Sequence, residues 1–326
     1  MIVLGIESTA HTFSASVVKN RKILSEVREM YKSQDNKGII PNKCAEFLKS
    51  VKDKIIDEAI KKSKVKKIDL IAFSQGPGMP LSLYIGFNSA KKLAKKYKIP
   101  LIGVNHLVAH LEIGKALTKL KDPVFILATG ANTQIIAFEG GKYRIFGEAL
   151  SIAIGNTLDK FGREIGIGFP AGPKIEELAK NGKYIELPYI VKGMDVEFSG
   201  ILTKVGQLFK KGESKEDLCY SLQETCFAML TEVSERALAH TGKKGLLLIG
   251  GVAANKRLIE MLKIMCKERE CKFDVVPLEY SGDQAAMIAL TGLLEYESKK
   301  GYYDKLDVDK IDINPNWRID QVEIKY

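Results

Sequence analysis

Apolar and polar positions along the 326-residue chain alternate with two different periods, and the changes of period mark out its elements. MIVLGI is a short apolar run closed by Glu7, Ser8 and Thr9, and SASVVKN followed by KILSEVREM continues a strand and hairpin pattern. Apolar residues then recur at helical spacing from Cys44 to Ser63 (Phe47, Val51, Ile55, Ile56, Ala59), which predicts one long helix. IDLIAFSQGPG reads as a buried strand running into a glycine-proline turn, and PLSLYIGFNSAKKLAKKY as the helix after it. PLIGVNH is the next short strand, and it leads into a helix carrying two histidines. Strand and helix alternate, so an α/β sheet is expected.

The pattern restarts at DPVFILATGANTQIIAFEGGKYRIFGEAL. Here an apolar strand breaks at Thr129 to Thr133, a second strand follows, and Glu139 to Gly141 make a tight turn into a third. Two segments that open alike predict an internal duplication. GLLLIGGVAANKRLIEML repeats the strand, turn and helix theme, with Gly250 and Gly251 letting the backbone approach a ligand, and PLEYSGD leads into a closing helix. The expected division is a first α/β lobe over residues 1–122 and a second over 123–297. A C-terminal segment, 298–326, carries the only tryptophan, Trp317, and is expected to pack back on the first lobe.

Composition narrows the class without naming a chemistry. The length suits two lobes with a site in a cleft, and the absence of low-complexity tracts argues against disorder. No apolar run is long enough to span a membrane and MIVLGIESTAH has no leader signature, so a soluble cytoplasmic protein is expected. Cys44, Cys219, Cys226, Cys266 and Cys271 lack CxxC spacing and read as reduced thiols. A net charge of +10 is compatible with a polyanionic partner. The lysine runs at 61 to 67 and 91 to 98 are explained about as well by a solvated helix face.

The sharpest chemical signal is VNHLVAHLEIG. His106 and His110 stand four apart, slightly more than one helical turn, so both imidazoles project from one face and can grip one metal ion. A zinc peptidase would need a glutamate directly after its first histidine, and Leu107 occupies that place.

GIESTAHTFSASVV, FSQGPG, VNHLVAHLE, GNTLDKFGREIGIGFPAGPKIEELA, KGMDVEFSGILT, SLQETCFAML and GGVAANKRL together resemble the TsaD family of tRNA threonylcarbamoyltransferases, the catalytic subunit of the KEOPS complex, in order from Met1 to about Gly292. The resemblance implies the actin, sugar kinase and Hsp70 ATPase fold, with two duplicated α/β lobes around a nucleotide cleft. It implies transfer of a threonylcarbamoyl group from threonylcarbamoyl-AMP to N6 of adenosine 37 in tRNAs that read codons beginning with A. His106, His110 and Asp283 match the family's metal ligands, for one divalent metal per subunit, with iron(II) preferred over zinc(II). The adenylate site carries over to Leu127, Ala128, Thr129, Gly130 and Ala131, and to Asp159, Gly172, Glu176 and Asn255. In that site Asp159 and Glu176 would accept from ribose hydroxyls, and Asn255 would offer its amide to the nucleoside. The implied partners are tRNA, the adenylate, and the kinase/ATPase and small accessory subunits of KEOPS.

Some positions depart from the family pattern. Leu127 stands in place of a metal-shell tyrosine, and Ala131 replaces the second glycine of an SGGNT turn. Ile40 and Asn42 replace the histidine and arginine of a GIHPR motif, Tyr84 an arginine after QGPG, and Gln284 an asparagine after the metal aspartate. These departures keep a non-catalytic scaffold that binds a kinase partner as a rival. Sugar kinases, acetate kinases and Hsp70-like ATPases of the same fold need an aspartate near the phosphates, whereas the first turn here carries Glu7.

Overall fold

The computed structural model describes residues 1–32, 39–299 and 301–326; Gly38 of the GIIPNK motif lies outside them. The chain forms two compact units, Met1–Ile113 with Gly141–Tyr143 and Asp283–Tyr326, and Gly114–Gly140 with Arg144–Gly282.

The first unit opens with the antiparallel strands β1 (Ile2–Glu7), β2 (Thr12–Lys19) and β3 (Lys22–Met30), in register Leu4 with Val17 and Ser16 with Glu26. Helix α1 (Pro41–Ser63) follows, then β4 (Leu70–Gly76), α2 (Pro80–Tyr97), β5 (Leu101–Asn105) and α3 (His106–Leu117). Proline at the first position starts α1 and α2, where its missing N–H costs nothing. Lys64 and Lys98 end them in the left-handed conformation. The sheet order is β3-β2-β1-β4-β5, with β4 parallel to β1 and to β5.

In the second unit β6 (Val124–Ala128), β7 (Thr133–Glu139) and β8 (Lys142–Glu148) are followed by α4 (Ile154–Glu164), α5 (Gly172–Ala179) and a two-residue ribbon, β9 (Val191–Lys192) with β10 (Asp195–Val196). Then come α6 (Ser199–Lys210), α7 (Lys215–Thr241), β11 (Gly245–Ile249), α8 (Lys256–Glu268), β12 (Lys272–Val275) and the single turn α9 (Leu278–Ser281). The sheet order is β12-β11-β6-β7-β8. Read from its hairpin edge, it repeats the order of the first sheet, with β6 antiparallel to β7 and parallel to β11, and β11 parallel to β12, as β1, β2, β4 and β5 pair in the first. The duplication expected from the two strand, turn and hairpin segments is therefore present in the topology.

The closing helix α10 (Ala285–Ser298) was expected in the second lobe, yet it packs on the first sheet. Small residues allow the close approach: a Cβ on Gly5 would lie 2.4 Å from the Ala285 carbonyl oxygen, and one on Gly292 would lie 2.4 Å from the Ala72 Cβ. The segment after α10 is tied to the same unit. Asn314 N–H donates to Gln75 O at 2.8 Å, Asn105 Nδ2 donates to Trp317 O at 3.0 Å, and Lys95 pairs with Asp309 at 2.6 Å. Each unit has its own apolar interior, built on Phe13, Phe73 and Leu48 in the first and on Phe161, Phe198 and Phe227 in the second.

Candidate active site

Asn105 ends β5 and starts α3 with one side chain. Its Oδ1 accepts from Leu107 N–H at 3.0 Å and Val108 N–H at 3.1 Å, satisfying two of the donors that a helix start leaves free. This cap places His106 on the first turn and His110 one turn later, with ring centroids 4.7 Å apart and planes at 89°. Asp283 immediately precedes Gln284, the N-cap of α10, and its Oδ1 lies 3.4 Å from His106 Nε2 and 3.3 Å from His110 Nε2. One ligand atom from each residue lies within 4.8 Å of the others. Ligands at 2.0–2.2 Å from one ion are separated by at most roughly 4.4 Å, so small side-chain adjustments close the set.

The donor types fit a divalent ion. Glu7, fully buried at the end of β1, lies 3.0 Å from His106 Nδ1 through its Oε2, while its Oε1 accepts from Thr9 N–H at 2.6 Å and Thr9 Oγ1 at 2.5 Å. A carboxylate only accepts, so the Nδ1 proton of His106 points at Glu7 and Nε2 is the nitrogen turned toward Asp283. Among the described residues the buried His110 Nδ1 has no hydrogen-bond partner, so this ring lacks such an orienting acceptor there. Burial opposes charge on His106, but the carboxylates of Glu7 and Asp283 override it and raise its pKa to about 10. His110 is shifted down by burial and by its charged neighbour His106. Burial alone would raise Asp283, and the two imidazoles hold it well below the usual carboxylate range. The two carboxylates thus favour positive charge between these side chains, which a bound cation would supply in place of the proton.

The residues of the second candidate set all lie in the second unit. Leu127 and Ala128 close β6 with fully buried side chains, and the turn after it is locked by Thr129, whose N–H donates to Asn132 O at 2.8 Å and whose Oγ1 accepts from Asn132 N–H at 2.9 Å. The start of α4 sits on that turn: Gly155 N–H donates to Thr129 O and Asn156 N–H to Gly130 O, each at 3.2 Å. Gly250 has φ +104°, and a Cβ there would lie 2.3 Å from Ala128 O, so only glycine lets the β11 turn approach β6.

Asp159 Oδ1 accepts from Ala171 N–H at 2.7 Å, holding the turn that presents Gly172, where among the described residues a Cβ would meet nothing within 4 Å. Burial shifts the Asp159 carboxyl up. Glu176 Oε1 accepts from Lys256 N–H at 2.9 Å. The neighbouring Asn255 caps α8, its Oδ1 accepting from Arg257 N–H at 2.9 Å and Leu258 N–H at 3.3 Å, while its Nδ2 donates to Gln223 Oε1 at 2.7 Å. The amide expected to face a nucleoside is therefore already engaged within the protein, apart from one Nδ2 hydrogen.

The departures from the family pattern have readable surroundings. Ala131 is absent from the positive-φ residues, so its backbone has no need of glycine. Ile40, Asn42 and Tyr84 are exposed. Gln284 is buried and caps α10 through Oε1, which accepts from Met287 N–H at 2.8 Å. The two lysine runs meet at the C-terminal ends of α1 and α2, where Lys66, Lys67 and Tyr97 help line a cavity of about 230 Å³. In the sequence Glu7 stands out only as the close of the first strand and as a contrast with kinase aspartates, and nothing local announces its bond to His106.

Two sheets of the same order, each a hairpin followed by parallel strands, define the actin, sugar kinase and Hsp70 ATPase class. Solved structures of that fold match: T. kodakarensis HypF (TM-score 0.63, 17% identity, covering 90% of this chain and 47% of that one) and the ROK hexokinase from Thermus thermophilus (TM-score 0.50, 15% identity, covering 91% and 99%). At these identities the likeness concerns fold alone. Within the class, the family described as TsaD, tRNA N6-adenosine threonylcarbamoyltransferase, matches residues 22–290, and the chain belongs to that family. The tRNA N6-adenosine threonylcarbamoyltransferase of Thermococcus sibiricus is 48% identical over 330 residues, 100% of both chains. The probable bifunctional tRNA threonylcarbamoyladenosine biosynthesis protein of Methanocaldococcus jannaschii is 48% identical over 328 residues, 100% of this chain and 60% of that one. The chain is accordingly an acyltransferase of tRNA modification. Among the described residues no helix is long and apolar enough to cross a membrane.

Proposed function

We propose that this chain transfers the threonylcarbamoyl group from threonylcarbamoyl-AMP to N6 of adenosine 37 in tRNAs that read codons beginning with A. We assign it the role of metal-dependent catalytic subunit of a cytoplasmic KEOPS assembly. The observation that carries the reading is the meeting of His106, His110 and Asp283 within 4.8 Å, in a chain whose family transfers this group. The donor is a mixed anhydride. The N6 lone pair attacks the carbamoyl carbon, the bond from that carbon to the phosphate oxygen breaks, AMP departs, and N6 loses a proton.

His106, His110 and Asp283 would hold a divalent ion, which when bound supplies a Lewis acid for a substrate oxygen. Two imidazoles and one carboxylate with positions left open favour iron(II) over zinc. Glu7 keeps the His106 proton on Nδ1 and Nε2 free to bind. The Thr129–Ala131 turn is assigned to the donor phosphate. Asp159, Glu176 and Asn255, with the open space beside Gly172, are assigned to the nucleoside. Asp159 and Glu176 each use one carboxylate oxygen internally, which leaves the other to accept from a ribose hydroxyl.

Relatives in which the matching part is 60% of a longer bifunctional protein support a partnership with a second protein, taken here to be the KEOPS kinase/ATPase with its small accessory subunits. The lysine surface at the ends of α1 and α2 suits the tRNA backbone. Purified chain, adenylate, tRNA and accessory subunits should yield modified adenosine by mass spectrometry, and His110→Ala should abolish it. Full activity of that variant would remove the metal from the mechanism. An inactive wild type in the complete mixture would favour a non-catalytic scaffold.

A further inference from the structure

Asp283 reaches the two histidines from a turn, and a turn holds a ligand in place only as well as its own backbone is held. That backbone is fixed from β3. Glu26 is partly buried, and its Oε2 accepts from Ala286 N–H at 2.9 Å. Its Oε1 accepts from Ala285 N–H at 3.3 Å and from the Ser14 hydroxyl. Ser14 Oγ in turn accepts from Ala285 N–H at 3.0 Å, and Gln284 Oε1 takes Met287 N–H. The first three donors of α10 are thus all satisfied. Two of them end on the Glu26 and Ser14 pair from neighbouring strands. Ala285 is two residues from Asp283, so this clamp sets where the Asp283 carboxylate can point.

We propose that Glu26 is a positioning residue for the metal site: it never touches the ion, but it fixes the turn that delivers Asp283 and thereby sets metal affinity. This rests on the reading that His106, His110 and Asp283 hold an ion. Glutamine at position 26 can still accept from Ala286 N–H with its one oxygen, but its NH₂ group then replaces the acceptor that faces the Ser14 hydroxyl and Ala285 N–H, so Ala285 is held by Ser14 Oγ alone and the turn is loosened.

The test uses cobalt(II) alone as the probe, titrated into the full-length protein and followed by its visible absorption. Glu26→Gln is expected to weaken cobalt binding 10- to 100-fold, the usual range for a group that orients a ligand. At saturating cobalt it should regain the wild-type spectrum, because the ligands themselves are intact. Unchanged affinity in a folded Glu26→Gln protein overturns the proposal. If that variant fails to fold, Ser14→Ala decides, with a severalfold loss expected and wild-type affinity overturning it. His110→Ala separates the two claims. Should wild type bind no cobalt, or His110→Ala bind as well as wild type, the metal reading itself fails. A wild type that binds while His110→Ala does not leaves the Glu26 result to judge the clamp.

Discussion

Replacing Glu7 by glutamine keeps the size of the side chain and removes its charge, which makes it a probe of which nitrogen carries the proton in the neutral, metal-binding form of the His106 ring. In the native protein Oε1 is occupied by Thr9 N–H and Oγ1, at 2.6 and 2.5 Å, and Oε2 faces His106 Nδ1 at 3.0 Å. A glutamine must keep its oxygen toward those two donors, so its NH₂ group is left facing Nδ1. Nδ1 then becomes an acceptor, and the ring proton moves to Nε2, the nitrogen 3.4 Å from Asp283 Oδ1. Removing an orienting partner of this kind costs roughly 10- to 100-fold in metal affinity, or about 1.4–2.7 kcal/mol. The lost charge-assisted hydrogen bond is worth about 1.5–3 kcal/mol, so a fall in stability of that order should accompany the change. Cobalt titration gives the affinity, and nitrogen NMR of the imidazoles gives the tautomer. A Glu7→Gln protein that binds cobalt as tightly as wild type, with the proton still on Nδ1, would refute the reasoning.

Further outcomes follow from the same geometry. Gly5→Ala places a methyl 2.4 Å from the Ala285 carbonyl and 2.7 Å from Ala289 N, backbone atoms that cannot rotate away; a loss of about 1–3 kcal/mol or more is expected by denaturant unfolding. Glu26 should tilt the pH dependence of stability, because burial, the largest influence, lifts its pKa from 4.5 to about 7 against its hydrogen bonds and Arg28. A carboxyl raised on folding contributes stability that is complete below pH 4.5 and is lost as pH rises through 7, at most roughly 3 kcal/mol. Thermal melts from pH 4.5 to 8 should show that slope in wild type and lack it in Glu26→Gln. Gly250→Ala must strain a residue at φ +104° and push on Ala128 O, so the KM for the adenylate should rise at temperatures where the protein stays folded. An unchanged KM would detach this turn from donor binding.

What the sequence made legible was what local period controls. The helix over Pro80–Tyr97 and the hairpins at each unit's start are short-range patterns, and four-residue spacing was enough to put His106 and His110 on one helix face. Contacts at long separation were not legible from spacing. Asp283 meets His110 across 173 positions, and only the family resemblance pointed to it. Glu7 meets His106 across 99, and Glu26 meets Ala286 across 260, with no local pattern to announce either bond. The assignment of α10 to the second lobe failed for a related reason. Its apolar, small-residue sequence suits either sheet, and the choice is made by glycine and alanine positions on β1 and β4 that match it. Asn255 shows the opposite limit, since a residue typical of a nucleoside contact serves as a helix cap.

Crystals of the protein grown with iron(II) under anaerobic conditions, with anomalous diffraction collected at the iron edge, give the most direct check. One peak about 2.0–2.2 Å from His106 Nε2, His110 Nε2 and an Asp283 oxygen is expected, with positions left open on the ion. Density elsewhere, or three side chains that turn away from one another in iron-soaked crystals, would contradict the metal site on which the proposed mechanism rests.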